Sequence, residues 1–489
     1  MTRYAMTPMD AAWYHIDGPV NFAQVTSILL TGKPLDFAKV KALYRQRLGR
    51  FERFRQRVVE SGFPIATPHW EDMPDFEIDQ QLYHVALPPP RDRRALTNLI
   101  SELASTPLDR ERPLWQVHVV DEVDGGSALI MRCHHCIGDG TAMMAVAREL
   151  FDTSRDASPR KAPAVRAPGA TPDLIDRLFG PGLQSVEQTV RMLLTTAEAS
   201  LDVVKHPQHV LAKAAVILDG ATMLVNELLK KPDPASPLKG AFGLNKRVAW
   251  SEPVALADVK AIGAPSGAKI NDVLVAGMTG ALRAYLKRRG VDVNRMTVRA
   301  MVPVDLRPPE RALELGNEFG LVVLELAIRS KDPLARLRLT KSHMDSLKRS
   351  PEAVAIMALF NAFGRGPKRI EDLAVNLFGS KASVVMTNVV GPQQKIYVAG
   401  VPVERIMFWV PHPGRQLGMG ISILSYNGLA TLAVIADAHL VPDPEAITDG
   451  FNREFEAMLK AAKRGDADAA PARTARRHRE KAVRAPTRR

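Results

Sequence analysis

The stretch His134-His135-Cys136-Ile137-Gly138-Asp139-Gly140 places two imidazoles and a carboxylate at one turn of the chain. A short apolar run with strand character precedes it at residues 128–133, and a segment with helical spacing follows at residues 141–151. The stretch therefore predicts a strand-to-helix turn in an α/β protein. Ionisable side chains gathered at such a turn indicate a proton-transfer site.

His134 and His135 are expected to have different roles. Successive side chains of an extended strand point to opposite faces, so both imidazoles can face one cavity only if the chain turns between them. One histidine is therefore expected to be the base and the other to be structural. Gly138 and Gly140 permit a sharp turn, which would bring Asp139 back toward an imidazole. A carboxylate placed there would fix the tautomer and the orientation of the base.

The same residues are open to other interpretations. Cys133 and Cys136 form a C-x-x-C, which could be a redox pair or half of a zinc site. They are the only two cysteines, however, and no second pair completes four ligands. His134 and Asp139 also have the H-x4-D spacing of membrane-bound glycerol-phosphate acyltransferases, although the second histidine and the trailing glycine fit that family less well. A purely structural pair of histidines stays open.

The pattern H-H-x-x-x-D-G resembles the bacterial wax ester synthase/diacylglycerol acyltransferase family, whose members transfer an acyl group from acyl-CoA to a long-chain alcohol or to diacylglycerol. The resemblance implies that His135 is the general base, that Asp139 is an orienting or structural partner, and that His134 has a supporting role. It also implies a two-domain, chloramphenicol acetyltransferase-like fold with an active-site channel between the halves. The wider superfamily, which includes peptide-synthetase condensation domains, shares the motif, so the motif indicates acyl transfer more firmly than it indicates a substrate.

Two further motifs of the family occur on either side of the chain's middle. Pro113-Leu114-Trp115 matches a P-L-W motif and opens a predicted strand beside the catalytic one. By itself, Trp115 has the character of a core residue. Asn271-Asp272 precedes a helical pattern at residues 273–289 and matches an N-D motif implicated in activity. By itself, Asn271 is typical of a helix N-cap.

A third motif lies at Met386-Thr387-Asn388-Val389-Val390-Gly391-Pro392, where an apolar strand ends in a Gly-Pro turn. It resembles the family's S-N-V-P-G-P, with Thr387 in place of serine and Val390 in place of proline. The threonine keeps the hydroxyl, so Thr387 and Asn388 are candidate donors to the oxyanion of an acyl-transfer intermediate.

The remaining matches are Met9-Asp10-Ala11-Ala12-Trp13, which is like the family's amino-terminal signature, and the segment at residues 302–308. The resemblance thus covers residues 4–460. Within the second segment, Arg307 is expected to reach Asp139 in a salt bridge across the domain junction, as in related acyltransferases, unless it is a surface arginine in a Pro-rich turn.

The motifs that are absent narrow the chemistry. The sequence has neither a G-x-S-x-G nucleophile elbow nor a G-x-x-x-x-G-K-[ST] phosphate loop. Direct transfer is therefore expected, with neutral His135 taking the proton of the acceptor hydroxyl. No metal and no cofactor are expected, and acyl-CoA is a substrate.

Length and residue pattern predict four regions. At 489 residues the chain is too long for one ordinary core. Residues 1–151 are expected to form an N-terminal acyltransferase half that carries the catalytic motif, and residues 246–460 a C-terminal half. Between them, residues 152–245 are predicted to be a Pro-rich linker and a helical crossover, which packs between the domains or lies on lipid. Residues 461–489 are predicted to be a basic, disordered tail.

The predicted tail holds ten Lys/Arg and three Asp/Glu, so it contributes +7 of the net charge of +13. It has no aromatic residue that could stack on bases, and nucleic acid is therefore not an expected partner. Contact with an anionic membrane or lipid-droplet surface fits better, since each basic residue near such a surface adds about 1 kcal/mol. A solvated tail without a partner stays open.

Composition also bears on location. Two cysteines suit a reducing cytosol, residues 1–17 show no signal peptide, and apolar stretches such as residues 353–360 fall short of the roughly 20 residues that a spanning helix needs. We expect a cytoplasmic protein that associates peripherally with the inner membrane or with lipid inclusions.

The favoured function is an enzyme that esterifies diacylglycerol, a long-chain alcohol or both. A condensation-type or other lipid acyltransferase of the same superfamily is the alternative chemistry, and a catalytically silent lipid-binding member is the alternative class. The intact His135 and Asp139 favour the enzyme.

Overall fold

The computed structural model describes residues 3–60, 67–156, 232–308, 311, 314–348, 379–412 and 416–483, with side chains as far as residue 464. The helices, numbered in chain order, are α1 (Pro8–His15), α2 (Phe37–Arg47), α3 (Arg93–Ala104), α4 (Gly140–Leu150), α5 (Leu256–Gly263), α6 (Ile270–Arg288), α7 (Pro333–Leu347) and α8 (Glu445–Val483). The strands are β1 (Arg3–Ala5), β2 (Gln24–Thr31), β3 (Gln56–Val59), β4 (His69–Asp72), β5 (Leu82–Ala86), β6 (Trp115–Val123), β7 (Gly126–His134), β8 (Lys246–Trp250), β9 (Val254–Ala255), β10 (Val298–Asp305), β11 (Phe319–Leu326), β12 (Val384–Val390), β13 (Tyr397–Val398), β14 (Val401–Trp409), β15 (Met419–Tyr426) and β16 (Leu429–Asp437).

Two mixed sheets organise the described residues. The first has the order β13-β14-β2-β7-β6-β5, and the second has the order β11-β10-β12-β15-β16-β8, with β9 beside β16. Strands β1, β4 and β3 form a small third sheet. One core cluster contains apolar side chains from both large sheets, including Ile28 and Ile130 of the first and Trp250 and Ile435 of the second. The two halves therefore pack against each other through a shared apolar layer.

Strand β7 lies inside the first sheet and is paired along both edges. Its residues are buried almost throughout, as is typical of a strand covered on both faces. Gln24 of β2 lies opposite His134 on one edge, and Trp115 of β6 lies opposite Cys133 on the other. Pairing on both edges fixes the position at which β7 ends, which is the position of the first motif histidine.

Strand β14 crosses from the predicted C-terminal half into the sheet of the N-terminal half. It belongs by sequence to the predicted C-terminal half, yet it pairs antiparallel with β2 and so completes the first sheet. Its last residue, Trp409, is buried and donates from Nε1 to the carbonyl of Ala249 at 3.2 Å. The alternating pattern of this segment predicts a strand but does not say which sheet it joins, because pairing depends on how the halves pack.

Some of the other predicted elements are confirmed, and others lie outside the described residues. The strand before the catalytic turn, the strand after Pro113 and the helices at α4 and α6 are confirmed to within a few residues. Of the predicted linker and crossover, residues 157–231 lie outside the described residues. Within the described residues, none of the helices combines the length and the apolar character that crossing a bilayer requires.

Helix α8 extends the core of the second half beyond the predicted boundary. It begins at Glu445 and continues to Val483, so it runs into the predicted tail, whose predicted disorder stays a prediction. Met458 and Ala462 are buried in the core of the second half, which therefore extends past the predicted boundary at residue 460.

Candidate active site

A short turn separates the two motif histidines. Strand β7 ends at His134, a 3-10 turn over His135–Ile137 follows, and α4 begins at Gly140. The backbone N–H of His135 donates to the carbonyl of Ala23 at 2.7 Å. The two imidazoles consequently lie in different surroundings, as the alternation of strand side chains predicts.

His134 is held on both nitrogens and is 3% exposed. Its Nδ1 accepts the N–H of Cys136 at 3.2 Å, and its Nε2 lies 3.2 Å from Oδ2 of Asp17. Burial alone would raise the pKa of Asp17, but the hydrogen bond and charge of His134 hold that pKa below its ordinary value. A histidine that accepts a hydrogen bond at Nδ1, lies beside a carboxylate at Nε2 and has almost no exposure is poorly placed to reach a substrate.

His135 is half-buried between aromatic rings. Trp13 stacks on it with 4.0 Å between ring centroids and 14° between planes, and Phe319 lies tilted at 5.8 Å. Nδ1 of His135 lies 2.9 Å from Oδ1 of Asn317. Among the described residues Nε2 has no hydrogen-bond partner, so this nitrogen is available to a substrate.

The contacts of Asn317 determine which nitrogen of His135 carries the proton. The amide nitrogen of Asn317 lies 2.8 Å from Oδ1 of Asp10 and 2.8 Å from the carbonyl of His135. Both of these atoms accept hydrogen bonds, so this end of the amide must be the NH2 group. The other end is the oxygen, and Nδ1 of His135 must donate to it. Nε2 therefore has a lone pair, as a general base requires.

Burial keeps His135 neutral. It lowers the pKa of His135 from 6.5 to about 4, and the charge of Asp139 and the hydrogen bond with Asn317 only partly oppose that effect. At neutral pH the imidazole is therefore in the form that can accept a proton.

Asp139 does not orient either imidazole through a hydrogen bond, which corrects the expectation from the glycine turn. Its Oδ1 caps α4 by accepting the N–H of Ala142 at 3.0 Å. Its Oδ2 accepts from Nη2 of Arg307 at 2.7 Å and from the N–H of Glu318 at 2.9 Å. The predicted salt bridge to Arg307 is thus confirmed, and Asp139 is a structural partner because the N-cap position turns its carboxylate toward the helix.

The loop between β10 and β11 carries the partners of the motif. Gly316 has a φ of +114°, a conformation that favours glycine, and its carbonyl accepts from Nη2 of Arg307 at 2.8 Å and from the N–H of Asp139 at 3.2 Å. Asn317 follows directly. This loop belongs to the second half, so the surroundings of His135 are assembled from both halves of the chain.

Pro113 and Trp115 support the site from within the core. Trp115 is fully buried and donates from Nε1 to the carbonyl of Phe54 at 2.9 Å. The carbonyl of Pro113 accepts from Nε2 of Gln81 at 2.7 Å. The N–H of His134 donates to the carbonyl of Leu114 at 2.9 Å, so the P-L-W segment fixes the strand end that carries the histidines.

The other motif residues form a second group. Nδ2 of Asn388 donates to Oδ1 of Asn271, which joins the strand β12 motif to the N-D motif. Thr387 is half-buried on the same strand. A Cβ on Gly140 would lie 3.7 Å from Val389, so the end of β12 meets the start of α4. No contact between the described residues joins Asn271, Thr387 or Asn388 directly to His135.

Asn271 is not the helix N-cap that its position in the sequence suggested. Helix α6 begins at Ile270, with Lys269 before it. The buried carboxylate of Asp272 accepts the N–H of Lys269 at 2.8 Å and so provides the capping interaction. Asn271 is exposed in the first turn, where its amide is free of that role.

The cysteines give no support to a metal or redox site. Cys133 and Cys136 are both buried, and burial raises the pKa of Cys133 to about 12. A thiol held in its protonated form is a poor ligand and a poor nucleophile. Within the described part of the chain, no group of three or more metal-ligating side chains occurs.

Two family models match most of the chain. The wax ester synthase/diacylglycerol acyltransferase catalytic domain matches residues 6–274, and the C-terminal domain of the same family matches residues 315–459. The chain belongs to the wax ester synthase/diacylglycerol acyltransferase family. It is therefore an acyltransferase, as the motifs predicted, and the second family domain begins just before the loop residue Asn317.

Relatives of the wax ester synthase/diacylglycerol acyltransferase family agree in length and fold. A Mycobacterium tuberculosis protein named putative diacylglycerol O-acyltransferase is 26% identical over 468 residues, which cover 93% of this chain and 97% of the relative. The wax ester synthase/diacylglycerol acyltransferase of Marinobacter aquaeolei VT8 superposes with a TM-score of 0.66 at 20% identity, over 95% of this chain and 100% of that one. The first condensation domain of the calcium-dependent antibiotic synthetase gives a TM-score of 0.57 at 18% identity, over 94% and 96%. The two structural likenesses confirm the predicted two-domain fold.

Sequence reasoning missed two residues of the site. Asn317 takes the orienting role that the sequence assigned to Asp139, and Asp17 is the carboxylate beside His134. The only signal for Asn317 in the sequence is the Gly316-Asn317 pair, which is typical of any turn. Its contact with His135 spans 182 residues, and no spacing rule covers such a distance.

Proposed function

We propose that this acyltransferase moves a long-chain acyl group from acyl-CoA to the hydroxyl of diacylglycerol, of a long-chain alcohol or of both, with His135 as general base. The observation that carries the proposal is the hydrogen bond from Nδ1 of His135 to Asn317, which leaves Nε2 unprotonated. Diacylglycerol is named as an acceptor because the curated relatives bear that activity in their names.

In the proposed reaction, Nε2 of His135 takes the proton of the acceptor hydroxyl while its oxygen attacks the thioester carbonyl. The carbon becomes tetrahedral and its oxygen becomes negatively charged. The oxyanion then collapses, the carbon–sulfur bond breaks, and the CoA thiolate takes the proton from the His135 imidazolium. The products are an ester and free CoA, and His135 returns to its neutral form. This route uses the side chains of the protein and its two substrates alone.

The oxyanion needs hydrogen-bond donors, and the group at the end of β12 is the candidate source. Thr387 is a half-buried residue that carries a hydroxyl, and Asn388 and Asn271 are linked through their amides. Since β12 ends against the start of α4, these donors are close to the catalytic turn. A donor aimed at a developing oxyanion contributes about 100- to 1,000-fold to turnover.

We further propose that the protein meets its lipid substrates at an anionic surface, as a peripheral protein of the inner membrane or of lipid inclusions. From residue 465 onward the sequence has eight Lys/Arg and three Asp/Glu, a net charge of +5. Basic residues near an anionic surface contribute about 1 kcal/mol each. Neutral-lipid acceptors are insoluble in water, so such attraction would place the site near its substrates.

The experiment is an acyl-transfer assay with the full chain. Radiolabelled palmitoyl-CoA is incubated with either dioleoylglycerol or hexadecanol, and neutral lipids are separated. The parent chain is expected to produce labelled triacylglycerol, labelled wax ester or both. His135→Ala is expected to produce almost no labelled ester. Release of CoA without any labelled ester would contradict the proposal.

A further inference from the structure

The amino-terminal signature at residues 9–13 of helix α1 takes no part in the proposed reaction, yet it lies against His135. Helix α1 carries Asp10 and Trp13, and Trp13 stacks on the ring of His135. Asp10 binds Asn317, whose amide oxygen contacts Nδ1 of His135. Both side chains of the signature therefore act on the same imidazole, one directly and one through an amide.

Asp10 binds Asn317 at two points. Its Oδ1 accepts the backbone N–H of Asn317 at 3.0 Å and the amide Nδ2 of Asn317 at 2.8 Å. The backbone N–H cannot exchange donor for acceptor, so Oδ1 is an acceptor whatever the orientation of the amide. Together with the carbonyl of His135, which also accepts from Nδ2, this contact holds the NH2 end of the amide toward Asp10 and its oxygen toward Nδ1 of His135.

The cost of burying Asp10 argues that this contact is more than packing. Asp10 is fully buried, and its Oδ2 has no hydrogen-bond partner within the described residues. A buried, unpartnered oxygen costs about 1–3 kcal/mol, which an apolar residue would avoid. Burial raises the pKa of Asp10, and the charge of Arg53 opposes that rise. Arg53 is itself buried and stacked over Trp70.

We propose that Asp10 is a positioning residue for acyl transfer: through Asn317 it holds His135 in the tautomer that has a free Nε2. Asp10 touches no reacting atom. Its role is to fix the amide of Asn317, and the amide fixes the proton of His135. The inference rests on the proposed function of His135 as the base.

The test combines kinetics with a double-mutant cycle on the full chain. Asp10→Ala and Asn317→Ala are each expected to lower kcat by about 10- to 100-fold, the range found for partners that orient metal-bound histidines. KM should change little. Because both act on one imidazole, the double variant should lose no more than the worse single variant. Asp10→Asn keeps an acceptor oxygen and should recover most of the kcat that Asp10→Ala loses.

A spectroscopic measurement separates positioning from general support of the fold. In protein labelled with 15N-histidine, the His135 signals are assigned by their absence in His135→Ala. The parent should show a protonated Nδ1 and an unprotonated Nε2, whereas Asp10→Ala should show a mixture of tautomers. If Asp10→Ala does not fold, Asp10→Ser takes its place, since a hydroxyl can occupy the buried position but is too short to accept both N–H groups.

Asp152→Asn is the matched control. Asp152 is a buried carboxylate of the same half, bound to Arg47 at 2.9 Å just past the end of α4 that is opposite the catalytic turn. This variant should keep kcat within about twofold and leave the His135 tautomer unchanged, whatever its thermal stability.

The outcomes distinguish the two proposals. Full activity in His135→Ala would overturn the proposed function and this inference with it. An inactive His135→Ala, together with unchanged kcat in Asp10→Ala or additive losses in the double variant, would overturn the inference alone. So would an unaltered His135 tautomer in the Asp10 variants.

Discussion

Arg307 and Asp139 form an ion pair that ties the second half of the chain to the catalytic turn of the first. Nη2 of Arg307 lies 2.7 Å from Oδ2 of Asp139, and both side chains are almost fully buried. The same guanidinium donates to the carbonyl of Gly316, one residue before the amide that orients His135. The pair therefore fixes the loop that holds the base, although neither residue touches His135.

Asp139→Asn should consequently lower stability more than turnover. Removing one charge leaves Arg307 buried without its counter-ion, a change that costs about 3–5 kcal/mol in comparable pairs. Thermal unfolding of the parent and the variant, beside kcat on the folded fraction, tests this. A variant that melts like the parent but has lost its activity would show that Asp139 acts in catalysis.

His134→Ala should likewise be a stability variant. The substitution leaves the N–H of Cys136 without its acceptor and removes one of the partners of Asp17, which together should cost about 1–3 kcal/mol. The kcat of the folded variant should remain well above that of His135→Ala. An unchanged melting temperature combined with a kcat as low as that of His135→Ala would contradict the assignment of roles.

The pH dependence of kcat/KM should show no acid limb near 6.5. Burial lowers the pKa of His135 to about 4, and only the neutral form is a base. Activity is therefore present above that value and is lost as the pH falls through it. Initial rates between pH 5 and 8, with the fold checked at each pH, should lie on a plateau. A limb with a midpoint near 6.5 would mean that His135 titrates as an exposed histidine does.

The basic carboxyl-terminal segment should be separable from the chemistry. Truncation after Arg464, rather than at residue 461, spares the buried Ala462 and removes a net charge of +5. The truncated chain should keep its activity on detergent-dispersed substrate and bind anionic vesicles more weakly. Since the Debye length falls from about 10 Å at 0.1 M salt to about 3 Å at 1 M, its binding should also depend less on salt. Vesicle co-sedimentation over a salt series measures both effects, and identical profiles would exclude the segment as the membrane contact.

The features that the sequence could predict follow from local residue patterns and from the family resemblance. Strand alternation separates His134 from His135, and apolar periodicity locates β6, β7 and α4. The pair of Arg307 and Asp139 was also within reach, because it follows from a family resemblance with ordered motifs.

Long-range assembly explains what the sequence could not predict. Asn317 and Asp10 reach His135 only because the two halves pack together, and the pattern around each residue is compatible with an ordinary turn or helix. Strand β14 joins the first sheet for the same reason.

The most direct measurement is the rate of ester formation by His135→Ala compared with the parent chain. His84→Ala, which alters an exposed histidine paired with Asp121 outside the site, is the matched control. The account predicts a loss of about 100- to 10,000-fold for His135→Ala, with thermal unfolding close to that of the parent and full activity in the control. A folded His135→Ala protein that keeps more than half of the parent's rate would contradict the assignment of His135 as the base.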